Sequence, residues 1–355
     1  MKSRQLIHWF IFLLFFSFKL DATIIYSSVF KHSKETNRRI ILLADLHFFL
    51  LDVDNQIQKP SLYTFLHSID HDFALQLELR PIKPAIGVFK DSTLAQQYRD
   101  GNYMNDLIAM LGIDYIVYEN ALWPHAQVKF IDQRTAIDNM INEMFYAIIG
   151  SQKEYQPESP MDCIKNSQLL RKFDKDWQQK LFQLTAQRGN ITIETCVTQV
   201  RTHIQFLNNT KKQSQPSLSS LCQRLIEECN LDKLEQLLQG VPLELTLQGF
   251  VNDSYCKPEQ KLALINQLYI SVEIVTDVQF LLSILHSFNT YQTTILYLGA
   301  RHIYKLEQYL KELGFADCLH QNTITYSNSM FDPIYKPQSL SHQTLSKLFN
   351  QMINC

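Results

Sequence analysis

The sequence predicts an α/β fold, with a central, mainly parallel sheet flanked by helices and a mostly helical insertion. Short apolar runs of strand-forming residues, such as 39–43 and 293–298, alternate with segments whose apolar residues have helical spacing. Strands that alternate with helices are typical of a parallel sheet. Hydrophobic residues make up 46% of the 355 residues and charged residues 19%, the composition of a folded globular protein.

The individual elements follow from these patterns. Strands are predicted at 24–30, 39–43, 73–79, 114–118, 128–131 and 293–298, with a polar connector at 31–37. Helices are predicted at 61–69, 95–111, 135–149 and 302–313, and the segment 261–287 is predicted to form one long helix or two short ones. Gly112, Gly150 and Gly314 stand just beyond three of these helices, where glycine commonly ends a helix.

Composition divides the chain into five parts. We predict a signal segment at 1–22, a first α/β half at 23–150, a helical insertion or lid at 151–260, a second α/β half of the same domain at 261–330, and a tail with a short helix at 331–355. The insertion is rich in Gln, Lys and Ser, and its clearest loop is at 213–220. It also holds five of the seven cysteines, so one or two disulfides are expected there if the protein is exported.

The first residues are typical of a targeting segment. Lys2 and Arg4 precede an apolar run at 6–18, which is shorter than the roughly 20 residues of a membrane-spanning helix. This pattern predicts a secretory signal peptide and an exported protein, either secreted, periplasmic or in a secretory lumen. Because Leu20 is a poor residue at the third position before a cleavage site that follows Ala22, an uncleaved N-terminal membrane anchor is one alternative. A buried N-terminal helix is the other. No later stretch is predicted to span a membrane.

Charge and motifs exclude several function classes. The net charge is −2, and no basic stripe is present, so we expect no nucleic-acid partner. The chain has only 9 glycines and lacks both the P-loop and the dinucleotide-binding fingerprint. It also lacks the GxSxG, HExxH and CxxC patterns of serine hydrolases, zinc proteases and zinc ribbons. The expected partner is therefore a small-molecule or peptide substrate.

Two apolar runs at opposite ends of the chain share the same ending. The run at 40–47 ends Ala-Asp-Leu-His, and the run at 295–302 ends Gly-Ala-Arg-His. Ligands of an open α/β sheet collect beyond the carboxyl ends of its parallel strands. His47 and His302 can therefore meet in space, although 255 positions (302 minus 47) separate them.

Other polar residues are predicted at neighbouring strand ends. They are Asp45, Glu78, Arg80, Glu119 and Arg301, with Asp132 and Arg134 as weaker candidates. Asp277, in the helix before the last strand, is a further weak candidate. Two histidines and one or two carboxylates suit a divalent metal ion. The same set suits metal-free proton transfer, in which a carboxylate orients a histidine. Each residue also has a structural explanation, such as an ion pair or a helix cap, and the pattern leaves these alternatives open.

The segment at 298–302, followed by a helix that ends at Gly314-Phe315, resembles the last motif of the TraB/Tiki (GxxH) group. That group belongs to a wider set with erythromycin esterase and the ChaN-like proteins. The segment ending at His47 is similar to the group's early GxxH motif, with Ala44 in place of Gly, and Glu78 corresponds to its acidic residue. The resemblance implies a site formed by His47, Glu78 and His302, used for metal-dependent peptide cleavage or for His/Glu ester hydrolysis.

These observations lead to two functional hypotheses. The first is an exported hydrolase-like protein in which His47, Glu78 and His302 are catalytic groups and tentative metal ligands. Arg80, Arg301 and Glu119 would then bind the substrate. The second is a non-catalytic binding or host-interaction protein on the same scaffold, with the helical insertion as its contact surface. An enzyme requires the histidines and Glu78 to converge in one site.

Overall fold

The computed structural model describes residues 23–33, 35–46, 65–66, 68–78, 125–151, 191–252, 257–322, 324–325, 338–339 and 347–352. The signal segment predicted at 1–22, the helix at 95–111 and the strand at 114–118 lie outside the described residues.

A six-stranded mixed sheet confirms the predicted α/β class. Its strands are β1 (Thr23–His32), β2 (Glu35–Leu46), β3 (Phe73–Leu77), β4 (Ala126–Phe130), β5 (Thr293–Gly299) and β6 (Phe315–Asn322), in the order β4–β3–β5–β2–β1–β6. The four strands from β4 to β2 are parallel, whereas β1 and β6 are antiparallel additions at one side. A separate small ribbon pairs β7 (Ile324–Thr325) with β8 (Gln338–Ser339).

Seven named helices accompany this sheet in the described part of the chain. They are α1 (Ala136–Ser151), α2 (Ile193–Gln213), α3 (Pro216–Cys229), α4 (Leu231–Leu237), α5 (Leu247–Asn252), α6 (Pro258–Thr290) and α7 (Ala300–Glu312). The helices from α2 to α5 confirm a helical insertion over 191–252. Helix α7 is followed by Gly314 at φ +88°, a left-handed conformation that favours glycine.

Helix α6 joins two apolar cores. Its second half, which includes Val278 and Leu281, packs with α3, α7 and the sheet residues Leu42 and Leu296. Its first half, which includes Leu268, packs with α1, α2, α4 and α5. The 33 residues of α6 span about 50 Å at 1.5 Å per residue, which lets one helix reach both cores. The insertion is thereby connected to the sheet through a continuous apolar interior.

Helix α6 also corrects one expectation from the sequence. In the part of the chain that the structure describes, its segment Ala263–Thr290 is long and apolar enough to cross a membrane by length and composition. No such stretch was predicted after the signal segment. Two thirds of the most apolar window (67%) is buried inside the protein. Its hydrophobicity is therefore accounted for by packing against two cores.

Three local predictions were wrong. The connector at 31–37 is mostly strand, because β1 and β2 form a tight antiparallel hairpin with His32 opposite Glu35. The loop at 213–220 is reduced to two residues, because Pro216 begins α3 with the backbone angle that a first helical residue needs. Helix α1 continues through Gly150 to Ser151. Strand β6 was not predicted.

The described cysteines do not form the expected disulfides. Cys196, Cys222 and Cys229 are free thiols buried in apolar surroundings, and Cys318 is a free thiol on the surface. Burial raises the pKa of the Cys229 thiol to about 12, with a further contribution from the charge of Glu228. These buried thiols act as small apolar core residues. Cys163, Cys256 and Cys355 lie outside the described residues.

Candidate functional site

The carboxyl ends of the parallel strands bring the candidate residues to one edge of the sheet. Asp45, near the end of β2, is the register partner of Gly299, the last residue of β5. Glu78 follows β3 directly, and its backbone N–H donates to the carbonyl of Tyr297 in β5 at 3.2 Å. Ile131 follows β4 and donates to the carbonyl of Leu77 at 3.0 Å. Four strand ends therefore surround one small region.

The carboxylate of Glu78 is buried and held by two donors. Its side chain is 7% exposed. Oε2 accepts a hydrogen bond from the backbone N–H of Gly299 at 2.7 Å, and Gly299 is the residue that caps the start of α7. Oε1 accepts from Nη2 of Arg134 at 2.9 Å. The carboxylate of Asp132 holds the Arg134 guanidinium in place, because it accepts hydrogen bonds from Nε and Nη2 of Arg134 at 2.9 Å each. Paired donors of this kind favour the ionised form of a buried carboxyl.

His302 lies between two carboxylates from different elements. It is in the first turn of α7, and its Nδ1 is 2.5 Å from Oδ1 of Asp277 in α6. Its Nε2 is 3.5 Å from Oε1 of Glu78. The ring packs edge-to-face on Phe280, one helical turn beyond Asp277, with 5.2 Å between ring centroids. Asp277 therefore orients the imidazole, while Nε2 faces the strand ends.

The surroundings raise the pKa of His302 above its ordinary value of 6.5. Burial alone would lower this pKa, because it disfavours the charged ring. The negative charges of Glu78 and Asp277, together with the hydrogen bond to Asp277, outweigh burial, and the cation of Arg134 opposes them. The folded protein therefore holds the imidazolium form to a higher pH than a free histidine does.

We expect a specific pH dependence of stability from His302. Because its folded pKa is raised, the stabilisation is fully present below about pH 6.5 and is lost as pH rises through the folded pKa. Each pH unit between the folded and unfolded pKa corresponds to about 1.4 kcal/mol. The measurement is the free energy of unfolding between pH 5 and 9 for the wild type and His302→Gln. The difference between the two should shrink as pH rises, and a constant difference would contradict this assignment.

Arg301, predicted to bind substrate, contacts α6 in the structure. Its guanidinium pairs with the carboxylate of Glu273 and donates to the hydroxyl of Tyr269. Phe145 of α1 stacks on the Tyr269 ring, with centroids 3.6 Å apart and planes 8° from parallel. These contacts partly neutralise the Arg301 charge and join the first turn of α7 to α6. Its predicted role towards substrate remains a prediction.

The structure brings together some of the predicted residues and leaves others undescribed. Glu78 and His302 lie in one site, whereas His47, Arg80 and Glu119 lie outside the described residues. Three weaker candidates join the site, namely Asp132, Arg134 and Asp277. Sequence reasoning missed Glu273, Phe280 and the amide of Gly299. The spacing of Tyr269, Glu273 and Asp277, four residues apart on one helix face, was the signal that could have identified Glu273.

The described residues alone do not form a metal site. Among them, no group of three or more His, Cys, Asp and Glu side chains could hold a metal ion. Arg134 already donates to one oxygen of Glu78, and Asp277 occupies Nδ1 of His302. A divalent ion here would need a ligand such as His47 from outside the described residues.

No family model, curated protein or solved structure matches this chain.

Proposed function

We propose that the protein is a hydrolase-like enzyme in which His302 transfers protons during cleavage of an ester or peptide bond. One observation supports this proposal most strongly: a single imidazole at the strand ends lies between two buried carboxylates, Asp277 and Glu78. A histidine with one nitrogen fixed by a carboxylate is an effective general acid or base.

Each member of the site has a distinct part in this proposal. Asp277 keeps a proton on Nδ1 and sets the ring plane, so Nε2 is the atom that exchanges protons. The 3.5 Å between Nε2 and Glu78 exceeds an ordinary hydrogen bond. Nε2 is therefore not occupied by a short hydrogen bond to Glu78. Glu78, kept ionised by Gly299 and Arg134, stabilises the imidazolium that forms when His302 takes a proton.

The resemblance to the TraB/Tiki group and to erythromycin esterase supports the same assignment. Two of the residues that correspond to the motifs of that group, Glu78 and His302, lie 3.5 Å apart between Oε1 and Nε2. Within this proposal His47 is the third catalytic group or a metal ligand, and Arg80, Glu119 and Arg301 bind the substrate. If the reaction depends on a divalent metal ion, His47 would complete the set of ligands to that ion.

The N-terminal pattern at 1–22 leads us to propose that the protein is exported, or anchored by that segment.

A hydrolysis screen tests the proposal. The purified chain is assayed against chromogenic esters of short and long acids, a lactone and peptide anilides, each with EDTA and with added Mn²⁺ or Zn²⁺. We expect His302→Gln to lower kcat/KM by about 10²- to 10⁴-fold, because glutamine can bond to Asp277 but cannot transfer a proton. His286→Gln is the matched control, since His286 is an exposed histidine of α6.

The outcomes separate the functional hypotheses. Activity that is lost in His302→Gln and kept in His286→Gln supports the enzyme, and the EDTA arm shows whether the reaction depends on a metal. Hydrolysis that survives in His302→Gln would contradict the assigned role of this residue. Absence of hydrolysis across the screen, in protein that unfolds cooperatively, would favour the non-catalytic binding protein.

A further inference from the structure

Two buried polar atoms of the sheet have no hydrogen-bond partner. Among the described residues, neither Oε1 of Gln76 in β3 nor the hydroxyl of Thr294 in β5 is paired. Both side chains are fully buried. Buried polar groups are almost always hydrogen-bonded, because an unsatisfied group has lost its contact with water and gained nothing in return. The two atoms therefore indicate a ligand that binds between them.

The register of the sheet places Gln76 and Thr294 close together on one face. Thr294 is the register partner of Ala74, and Gln76 follows Ala74 by two residues in β3. Side chains alternate along a strand, so all three share the same face. Neighbouring strands lie about 4.8 Å apart and two residues of a strand rise about 6.6 Å, so the Cα atoms of Gln76 and Thr294 are about 8 Å apart.

Helix α6 covers this face and fixes the orientation of the Gln76 amide. Nε2 of Gln76 donates to the carbonyl of Ser283 at 3.0 Å and to Oγ of Ser287 at 2.7 Å. A carbonyl only accepts, so the amide nitrogen and not the amide oxygen must face Ser283. Exchanging the two amide atoms would bring two acceptors together. The unpaired atom of Gln76 is therefore an acceptor, and it requires a donor.

The hydroxyl of Ser287 is a third polar group at this place. It is fully buried, and its oxygen accepts from Nε2 of Gln76 and from Nζ of Lys129, the latter at 3.2 Å. A hydroxyl oxygen has two lone pairs, and these contacts use both of them. The hydrogen of Ser287 is therefore left to donate to a further acceptor.

Small side chains leave room for a small ligand between the sheet and α6. Ala74, which ends at its methyl group, is fully buried beside both Gln76 and Thr294. The two residues of α6 that contact Gln76 are both serines. A buried water molecule typically makes about three hydrogen bonds to groups that are otherwise unsatisfied. An apolar filler of the same size would leave Oε1 without a donor.

We propose that one water molecule binds over Ala74, between the sheet and α6. It donates to Oε1 of Gln76 and accepts from the hydroxyl of Thr294, and its second lone pair accepts from Ser287. One donor and two acceptor positions of the water are thereby used, so the three protein groups are all satisfied.

This water joins three elements that carry the candidate site. Strand β3 leads directly to Glu78, β5 ends at Gly299, and α6 contains Asp277. The water is therefore a structural link beneath the site. The inference does not depend on the proposed reaction, because it rests on hydrogen bonding in the core alone.

Transfer of NMR magnetisation from water to the folded full chain tests the site directly. The side-chain amide hydrogens of Gln76 and the methyl of Ala74 should show the nuclear Overhauser effect of a long-lived bound water. The methyl of Thr276 is the internal control, because its hydroxyl is also buried but donates to the carbonyl of Val272 at 2.8 Å. No effect at Gln76 and Ala74, or an equal effect at Thr276, would overturn the inference.

The sign of a stability change gives a second test. Thr294→Val replaces the hydroxyl with a methyl of similar shape and removes one partner of the water. The unfolding equilibrium constant should rise about three- to tenfold, as for the loss of one hydrogen bond. If the Thr294 hydroxyl had no partner, the same change would remove an unsatisfied buried group and lower that constant. A lowered or unchanged constant would overturn the inference.

Thr276→Val is the matched control for this variant. It also removes a buried hydroxyl, but one that bonds within α6. The water signal at Ala74 should weaken in Thr294→Val and stay unchanged in Thr276→Val. Equal weakening in both variants would contradict a water bound by Thr294. If Thr294→Val does not fold, the wild-type measurement at Gln76 and Ala74 still decides whether the water is bound.

Discussion

Arg134→Ala should destabilise the protein by about 3–5 kcal/mol, because it leaves buried carboxylates without their cation. The side chains of Glu78 and Asp132 are 7% and 8% exposed, and Arg134 donates to both. With the guanidinium gone, the Gly299 amide still donates to Glu78. Asp132 would lose the two guanidinium donors to its oxygens. The measurement is the free energy of unfolding from urea denaturation at pH 7.

An exposed arginine provides the control. Arg224 also contacts a carboxylate, Glu312 at 2.7 Å, but the two side chains are 47% and 45% exposed. Arg224→Ala should cost about 0–1 kcal/mol, because water screens a surface pair. Similar losses from both variants would mean that the Arg134 network contributes no more than a surface ion pair.

Leu296→Ala should cost about 2–5 kcal/mol, because it opens a cavity in the middle of the sheet. Leu296 is fully buried in β5, between β2 and β3, and it packs in the core shared with α6 and α7. Strand β5 also ends at Gly299, which donates to Glu78. Urea denaturation measures the loss in the free energy of unfolding. The size of that loss tests whether β5 is a central strand of the sheet.

Leu243 is the matched control for this truncation. It is one of the exposed large apolar residues, with 40% of its surface accessible to solvent. Leu243→Ala should change the free energy of unfolding by roughly 0.5 kcal/mol or less. If Leu296→Ala were as mild as Leu243→Ala, the assignment of β5 as a buried central strand would be wrong.

The central strands of the parallel part, β2, β3 and β5, could be predicted because they are buried on both faces. Thr293 to Leu298 are six consecutive buried positions in β5, and such continuous apolar runs are typical of parallel strands. Strand β6 carries a weaker signal. Its residues 315–322 include Asp317, His320 and Gln321, and its place beside β1 depends on long-range pairing. A local pattern holds no information about such pairing.

The candidate site was predictable only in part, for a related reason. Strand ends could be located from the sequence, and this placed Glu78 and His302 near one edge of the sheet. The partners of His302 depend on how α6 crosses the sheet, which periodicity does not reveal. Asp277 was therefore only a weaker candidate in the sequence, and Asp138 at the start of α1, which contacts His203 of α2, was not a candidate. The roles of these carboxylates emerge from packing between helices that are distant in sequence.

The most direct test of the central claim is a comparison of hydrolysis rates in Glu78→Gln, His302→Gln and the double variant, on whichever substrate the screen identifies. Catalytic groups that act as one unit give strongly non-additive losses. We predict that the double variant is no more than a few-fold slower than the slower single variant. Losses that multiply in the double variant, or single variants as active as the wild type, would contradict a shared Glu78–His302 site.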